Sequence, residues 1–294
     1  MGRYRDRPVR HGGLFRGPPR LSDRTRAPIL GLVPTSPRRP RSTYRELLAP
    51  PALAPYVACL WMHVVGDGDL DYDQPVLPDA CVDLVSVDGE VTVAGPATRS
   101  VTVRLAPGSV TMGVRFLPGA APPIVGVSAA ELRDLNVAVA DVWGRAGETV
   151  AARVAETTDW PARLGVLVGA VSDRLDNAPA VDPVGTGLAA RLAERPGQPL
   201  RRLADDIALS ERQLRRRVEG AVGYSPRTLA RIVRFQHFLR AARSSPRRRV
   251  DLAGLAAATG YADQAHLTRE SRRLGGLPPA ALLEWEAQRL GRRA

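Results

Sequence analysis

The chain contains no lysine; all 42 of its basic residues are arginine. That bias fits a GC-rich coding sequence and assigns no function. There are only two cysteines, Cys59 and Cys81, too few for a disulfide scaffold. No apolar run approaches the roughly 18 residues of a membrane span. No apolar core follows the N-terminal arginines, so nothing there reads as a secretory signal. These absences point to a soluble, cytoplasmic protein. What is present is ample apolar content, 44% of 294 residues, enough for about two domains with real cores.

The net charge of +12 is unevenly divided. Residues 1–41 carry +9, residues 42–187 carry −9, and residues 188–294 carry +12. A basic C-terminal unit beside an acidic middle unit suits a DNA reader joined to something that must not stick to DNA.

The C-terminal third reads as two short helix-turn-helix units joined by a longer helix. Leu200, Leu203, Ala204 and Ile207 fall at i, i+3, i+4 and i+7, one apolar helical face. Ala208-Leu209-Ser210 is a turn ending in an N-cap, and an arginine-rich helix follows from Glu211 to Glu219. Gly223-Tyr224-Ser225-Pro226 stops that helix and starts the next, which runs to about Ala242 on Leu229, Ile232, Val233, Phe235 and Leu239. The pattern then repeats. A short helix carries Leu252, Leu255, Ala256 and Thr259, a turn covers Gly260-Tyr261-Ala262, and Asp263 caps a helix through Leu274. Gly275 to Pro279 is the second stop, and a last helix covers Ala280 to about Leu290.

These residues resemble the tandem DNA-binding domain of the AraC/XylS family of transcriptional regulators. Leu-Ser-x-x-Gln-Leu-x-Arg-Arg at Leu209–Arg217 is similar to the family's first recognition helix. Gly-Tyr-x-Asp-Gln-x-His-Leu-x-Arg at Gly260–Arg269, closed by Gly276-Leu277-Pro278-Pro279, is similar to the signature of its second unit. Where the family carries a core aromatic this chain has Ser271, which predicts looser packing under the second recognition helix.

The resemblance implies double-stranded DNA as partner, with RNA polymerase expected beside it. Arg212, Arg215 and Arg216, then Gln264, Ala265, His266 and Arg269, occupy the family's base-reading positions. Arginine pairs bidentately with guanine and glutamine with adenine. Arg217, Ser225, Arg227, Arg247, Arg248, Arg249, Thr268 and Arg272 are the expected backbone contacts. A solvated helix face is the plain alternative for any one of these arginines. Two such units on a rigid helix would enter successive major grooves about 34 Å apart.

Upstream, residues 1–41 are rich in Arg, Pro and Gly without periodicity and predict disorder. They are either a basic DNA-binding arm or a dispensable extension. Leu47 to Val57 suggests a short helix or two. Short strands follow at Val57–Val65, Pro75–Leu77, Cys81–Val87, Glu90–Ala94, Ser100–Leu105 and Val110–Phe116, with Asp88-Gly89 a strong hairpin signal. Their even spacing implies a small antiparallel barrel or sandwich. Leu77–Val85, Val93–Thr98 and Gly113–Ala120 resemble the cupin-like sensor region attached to many AraC-type regulators, which implies a small-molecule effector.

Leu132–Val142 and Glu148–Leu175 read as helices. Their stripe, Ala151, Val154, Ala155, Leu164, Leu167, Val168 and Val171, is either core or a homodimer surface. Asn177–Gly187 reads as linker. The expected organisation is therefore a basic extension (1–41), a cupin-like sensor (42–145), a helical segment and linker (146–187) and a DNA-binding domain (188–294). The fold class is α+β in two domains, a small antiparallel β unit with helices followed by an all-α unit.

Arg115, Trp61, His63 and Asp79 are the candidate effector residues. Arg115 in an apolar strand needs a partner, either a structural acid such as Asp79 or Asp83 or an anionic effector. His63, Asp79, Cys81 and Asp83 match no metal motif, so neither metal nor cofactor is assigned. Cysteines on apolar strands are usually core. The leading reading is a sequence-specific transcriptional regulator and not an enzyme. The alternatives are a DNA-binding module attached to a protein-partner domain, or to a cysteine enzyme that modifies DNA.

Overall fold

The structure is a computed structural model that describes residues 27–28, 42–66, 72–195, 202, 209–244 and 251–289. Nearly all of the 1–41 segment, the Leu200–Ile207 helix and Arg247 to Arg249 lie outside these residues.

Among the described residues, the N-terminal half is built from nine strands: β1 (Ala27–Pro28), β2 (Ser42–Leu47), β3 (Val57–Val65), β4 (Tyr72–Val76), β5 (Asp83–Val87), β6 (Glu90–Ala94), β7 (Val101–Leu105), β8 (Val110–Phe116) and β9 (Leu135–Ala138). Seven of them form one antiparallel sheet in the order β1-β9-β6-β5-β8-β3-β2. β4 and β7 form a separate two-stranded sheet. The sheets face each other as an open sandwich and do not close into a barrel. β5 and β6 join through Asp88 and Gly89, both at positive φ (47° and 95°), the backbone a tight primed hairpin turn requires.

Side-chain alternation explains the architecture. On the large sheet Leu60, Met62, Leu84, Val91, Val93, Met112, Val114 and Phe116 are buried in one apolar core. That core is closed by α1 (Ala121–Val125), α3 (Val139–Trp143), α4 (Arg145–Glu156) and α5 (Trp160–Leu175). The intervening residues, Trp61, His63, Asp83, Val85, Thr92, Thr111 and Arg115, face the small sheet. Successive strand residues point to opposite faces, so one face is uniformly apolar and the other mixed.

Three local readings differ from expectation. The helix expected at Leu47–Val57 is instead strand β2 followed by hydrogen-bonded turns. The open edge of β3 supplies a complete ladder, Ser42 opposite Val65 to Leu47 opposite Leu60, and that outweighs the leucine spacing. The Leu132–Val142 helix is interrupted. The short α2 (Ala129–Leu132) ends before Asp134 at φ 58°, and β9 then pairs with β6 before α3 begins. Glu148–Leu175 is two helices, because Asp159 caps α5 by accepting from the Ala162 N–H at 3.1 Å. The stripe on these helices is mostly intradomain core, with Val154, Leu167 and Val171 fully buried.

The C-terminal half is helical: α6 (Pro183–Glu194), α7 (Glu211–Val222), α8 (Pro226–Ser244), α9 (Leu252–Ala258), α10 (Gln264–Gly275) and α11 (Pro279–Arg289). Helix α6 starts inside the stretch read as linker, with Asp182 as its cap. A second core surrounds Leu214, Val218, Leu229, Ile232, Phe235, Phe238, Leu267 and Leu282, and it includes Ala80 from the sheet domain.

Candidate functional site

Helix α7 is fixed at its start by a reciprocal cap. Ser210 Oγ accepts from the Gln213 N–H, while the Gln213 side chain accepts from the Ser210 N–H. Leu214 and Val218 anchor the buried side. Arg212, Arg215 and Arg216 are all exposed on the other. Arg215 makes a surface pair with Glu219, Nε to Oε1 2.8 Å. Arg217 is committed elsewhere, donating to Asp182 from Nε at 2.9 Å and from Nη2 at 2.5 Å. The hydrogen bonds from Arg217 hold the Asp182 carboxyl below the usual range. Ser225 Oγ caps α8 by accepting from the Thr228 N–H, and Arg227 is exposed beside it.

Helix α10 repeats the arrangement. Asp263 Oδ1 accepts from the His266 N–H at 2.6 Å, leaving Gln264, Ala265 and Arg269 exposed. His266 is half-buried and stands edge-on to Tyr261, centroids 5.3 Å apart. Thr268 turns its hydroxyl back to the Gln264 carbonyl, and Arg272 is exposed. Ser271 does not loosen this helix. It is fully buried and donates to the Leu277 carbonyl at 2.8 Å, tying the helix end to the following turn. Phe235 and Leu282 fill the apolar space there, each lying 3.0 Å from where a Cβ on Gly275 would be.

What orients α10 has no signal in the sequence. Arg231 on α8 grips Glu270 from Nε and Nη2 at 2.6 and 2.8 Å. The partners are 39 residues apart, and each reads in sequence as an ordinary surface charge.

The second site is a cavity of about 370 Å³ between the two sheets, with α8 and α11 along one side. All four candidate effector residues, Trp61, His63, Asp79 and Arg115, line it. The Leu77–Val85 and Gly113–Ala120 motifs meet here. Arg115 Nε donates to Asp83 Oδ1 at 3.0 Å and lies 3.5 Å from Asp79 Oδ2. The Trp61 indole N–H also donates to Asp83 Oδ1, at 3.0 Å. Burial alone would lower the Arg115 guanidinium, but the Asp83 and Asp79 carboxylates outweigh it and hold it well above its usual value. The structural acid is therefore the partner Arg115 has. Gly113 makes room for this cluster, since a Cβ there would sit 2.8 Å from the Trp61 ring and from the Leu84 carbonyl.

One hydroxyl on the cavity wall, Thr111 Oγ1, is buried without a hydrogen-bond partner among the described residues, and its residue is only 6% exposed. The far wall comes from the helical domain, where Arg243 Nη2 donates to Glu286, itself 2% exposed. Nothing in the sequence marks Thr111 or the Arg243–Glu286 pair as belonging together.

Neither thiol is activated. Burial pushes Cys59 up to about 11 and Cys81 well above its usual value. Among the described residues no group of three His, Cys, Asp or Glu is placed to hold a metal, and no helix is long and apolar enough to cross a membrane.

The two domains are tied together around these sites. Tyr224 Oη donates to the Ala97 carbonyl at 2.7 Å, Gln236 Nε2 to the Pro78 carbonyl at 2.6 Å and Ser128 Oγ to the Gly220 carbonyl at 3.3 Å. Gly223, at φ 83°, sits so close to the sheet domain that a Cβ would meet Pro96 Cγ at 2.6 Å.

Residues 203–284 match the family model described as a helix-turn-helix domain, and residues 45–138 match one described as a domain of unknown function (DUF6597). No curated relative matches the sequence. Among solved structures, ToxT from Vibrio cholerae O395 is 8% identical, with a TM-score of 0.41 over 76% of this chain and 95% of that one. The same protein bound to (E)-4-(8-methylnaphthalen-1-yl)but-3-enoic acid is 10% identical, with a TM-score of 0.43 over 82% and 98%. Unsaturated fatty acid-bound wild-type ToxT from Vibrio cholerae strain SCE256 is 9% identical, with a TM-score of 0.39 over 84% and 97%.

Proposed function

We propose that this chain is a DNA-binding transcriptional regulator of the AraC type, which reads DNA with α7 and α10, inside the matched helix-turn-helix region, and adjusts that reading through the cavity between its sheets. The observation that carries the proposal is the shared wall. Arg243 and Glu286 belong to the helical domain, yet they line the same cavity as Trp61, Asp79 and Arg115. A molecule seated there touches both domains and so has a differential affinity for any two arrangements of them, which is what an effector requires.

In the DNA complex, Arg212, Arg215 and Arg216 read one major groove while Gln264, Ala265 and Arg269 read the next, with His266 at its margin. Arg227, Ser225, Thr268 and Arg272 hold the backbone, and Arg217 joins them when it leaves Asp182. RNA polymerase and a second copy of the chain are the partners such a regulator implies, and the cytoplasm is where it works. The sheet domain already touches α7. Ser128 and Ala130 border the surface formed by Arg212, Arg215 and Arg216, so movement of that domain changes access to the first reading face.

Selection of bound DNA from a random library by the full chain, at fixed salt, tests the reading. Recovery of two half-elements about one helical turn apart supports tandem reading. Recovery of no motif, with only salt-sensitive binding, would reduce the arginines to an electrostatic coat.

A further inference from the structure

We infer that the cavity takes an organic ammonium ion with an apolar, aromatic-sized body, and that it disfavours carboxylates. The inference rests on the effector reading of the cavity and adds its ligand class.

Charge is the first ground. Among the described residues, four carboxylates, Glu46, Asp79, Asp83 and Glu286, line the cavity against two guanidiniums, Arg115 and Arg243. Both guanidiniums are already engaged. Arg115 holds Asp83 through two nitrogens and approaches Asp79, and Arg243 holds Glu286. An anionic ligand would have to share a guanidinium with the carboxylate already paired to it and lie against the remaining acids of the wall, which repel it. A cation breaks no pair. Asp79, with its side chain 28% exposed, keeps acceptor capacity facing the cavity.

The walls are the second ground. The Tyr44 and Trp61 rings stack with centroids 6.3 Å apart, and His63 stands edge-on to Tyr44. Trp285 stands on the helical side. Aromatic faces attract cations, more so when water is excluded, and Trp61 already carries one, the Arg115 guanidinium 6.0 Å from its centroid.

The third ground is Thr111. Its Oγ1 is buried without a partner among the described residues, and an unsatisfied buried polar atom is a standing cost that a ligand hydrogen bond removes. By strand register Thr111 stands opposite His63 and Val87, four residues along β8 from Arg115, which faces Asp83, so its hydroxyl meets the body of the ligand while the carboxylates at the Asp79–Asp83 end receive the ammonium. A volume of about 370 Å³ holds one small molecule, toward the low end of the roughly 300–1,000 Å³ common for ligand pockets.

Phenethylamine and hydrocinnamate share a phenyl-ethyl body and differ in the charge of the end group. Each is titrated calorimetrically into the full chain, alongside Asp79→Asn and Thr111→Val, and DNA affinity is measured for every variant. The amide introduced by Asp79→Asn retains an acceptor for the Cys81 N–H that Asp79 now holds at 2.9 Å, so the fold should survive. Phenethylamine is expected to bind at least about tenfold tighter than hydrocinnamate, to lose most of that margin in Asp79→Asn, and to keep it in Thr111→Val, which lies at the other end of the cavity. Preference for hydrocinnamate overturns the cation inference and leaves the effector reading standing. Binding of neither also overturns it, and if Asp79→Asn then leaves DNA affinity unmoved, the effector reading falls with it.

Discussion

At the scale of single residues, Arg215 and Gly113 are the most informative. The Arg215–Glu219 pair is at the surface, where such pairs contribute about 0.3–0.5 kcal/mol. A guanine contact can therefore replace it at little cost. Arg215→Ala is expected to lose about 1–3 kcal/mol of DNA binding and to relax preference at one base pair, whereas Arg227→Ala weakens all sequences alike. Competition binding with single-base variants of the selected site distinguishes the two. Gly113 has no such freedom. Gly113→Ala would push a methyl into Trp61 and the Leu84 carbonyl. It should cost about 1–3 kcal/mol by overpacking, seen as a lower urea midpoint with unchanged slope.

At the scale of elements, α7 and α10 are each held by an ion pair to a neighbouring helix. Arg231–Glu270 fixes α10 against α8, with side chains only 24% and 12% exposed. Glu270→Gln keeps the shape and removes the charge. It is expected to blur the half-element read by α10 while sparing the one read by α7, which repeating the DNA selection with this variant would reveal. Asp182–Arg217 holds α6 to α7. Its folded carboxyl is depressed, so the contact stabilises at neutral pH and down to the unfolded carboxylate value of about 3.9. That contribution disappears as pH falls through the lower folded value. Urea midpoints of wild type and Asp182→Asn should therefore differ near neutrality and converge in acid. A difference that persisted at low pH would show the pair to be irrelevant.

At the scale of the whole molecule, the sheet domain and the helical domain share a cavity wall and a set of buried hydrogen bonds. Tyr224 is 1% exposed, and its hydroxyl reaches 127 residues back to Ala97. Tyr224→Phe strands that carbonyl and should loosen the interface by about 1 kcal/mol. Faster amide exchange is expected at residues 95–99 and 220–224, together with a smaller response of DNA affinity to a cavity ligand. Unchanged exchange at both segments would mean the contact does not couple the domains.

Much of this protein is legible in its local chemistry. Ser210, Asp263 and the glycines after each recognition helix are caps whose effect spans a few residues, so α7, α8 and α10 follow from the chain alone. Asp88-Gly89 specifies its hairpin for the same reason, and the charge division separates the helical half from the sheet half. Other features depended on distant partners. Leu47 joins a strand because the edge of β3 lies open beside it, and Ser271 is buried with a partner because the Leu277 carbonyl turns back to meet it. Arg115, Trp61, His63 and Asp79 are each suggested by residue type. Their convergence on one cavity, and the Thr111 hydroxyl and the Arg243–Glu286 pair that complete it, follow from strand register and domain docking. Hydrophobic period and capping act over single turns of chain, whereas a cavity is made by elements far apart in sequence, so only the tertiary structure could decide it.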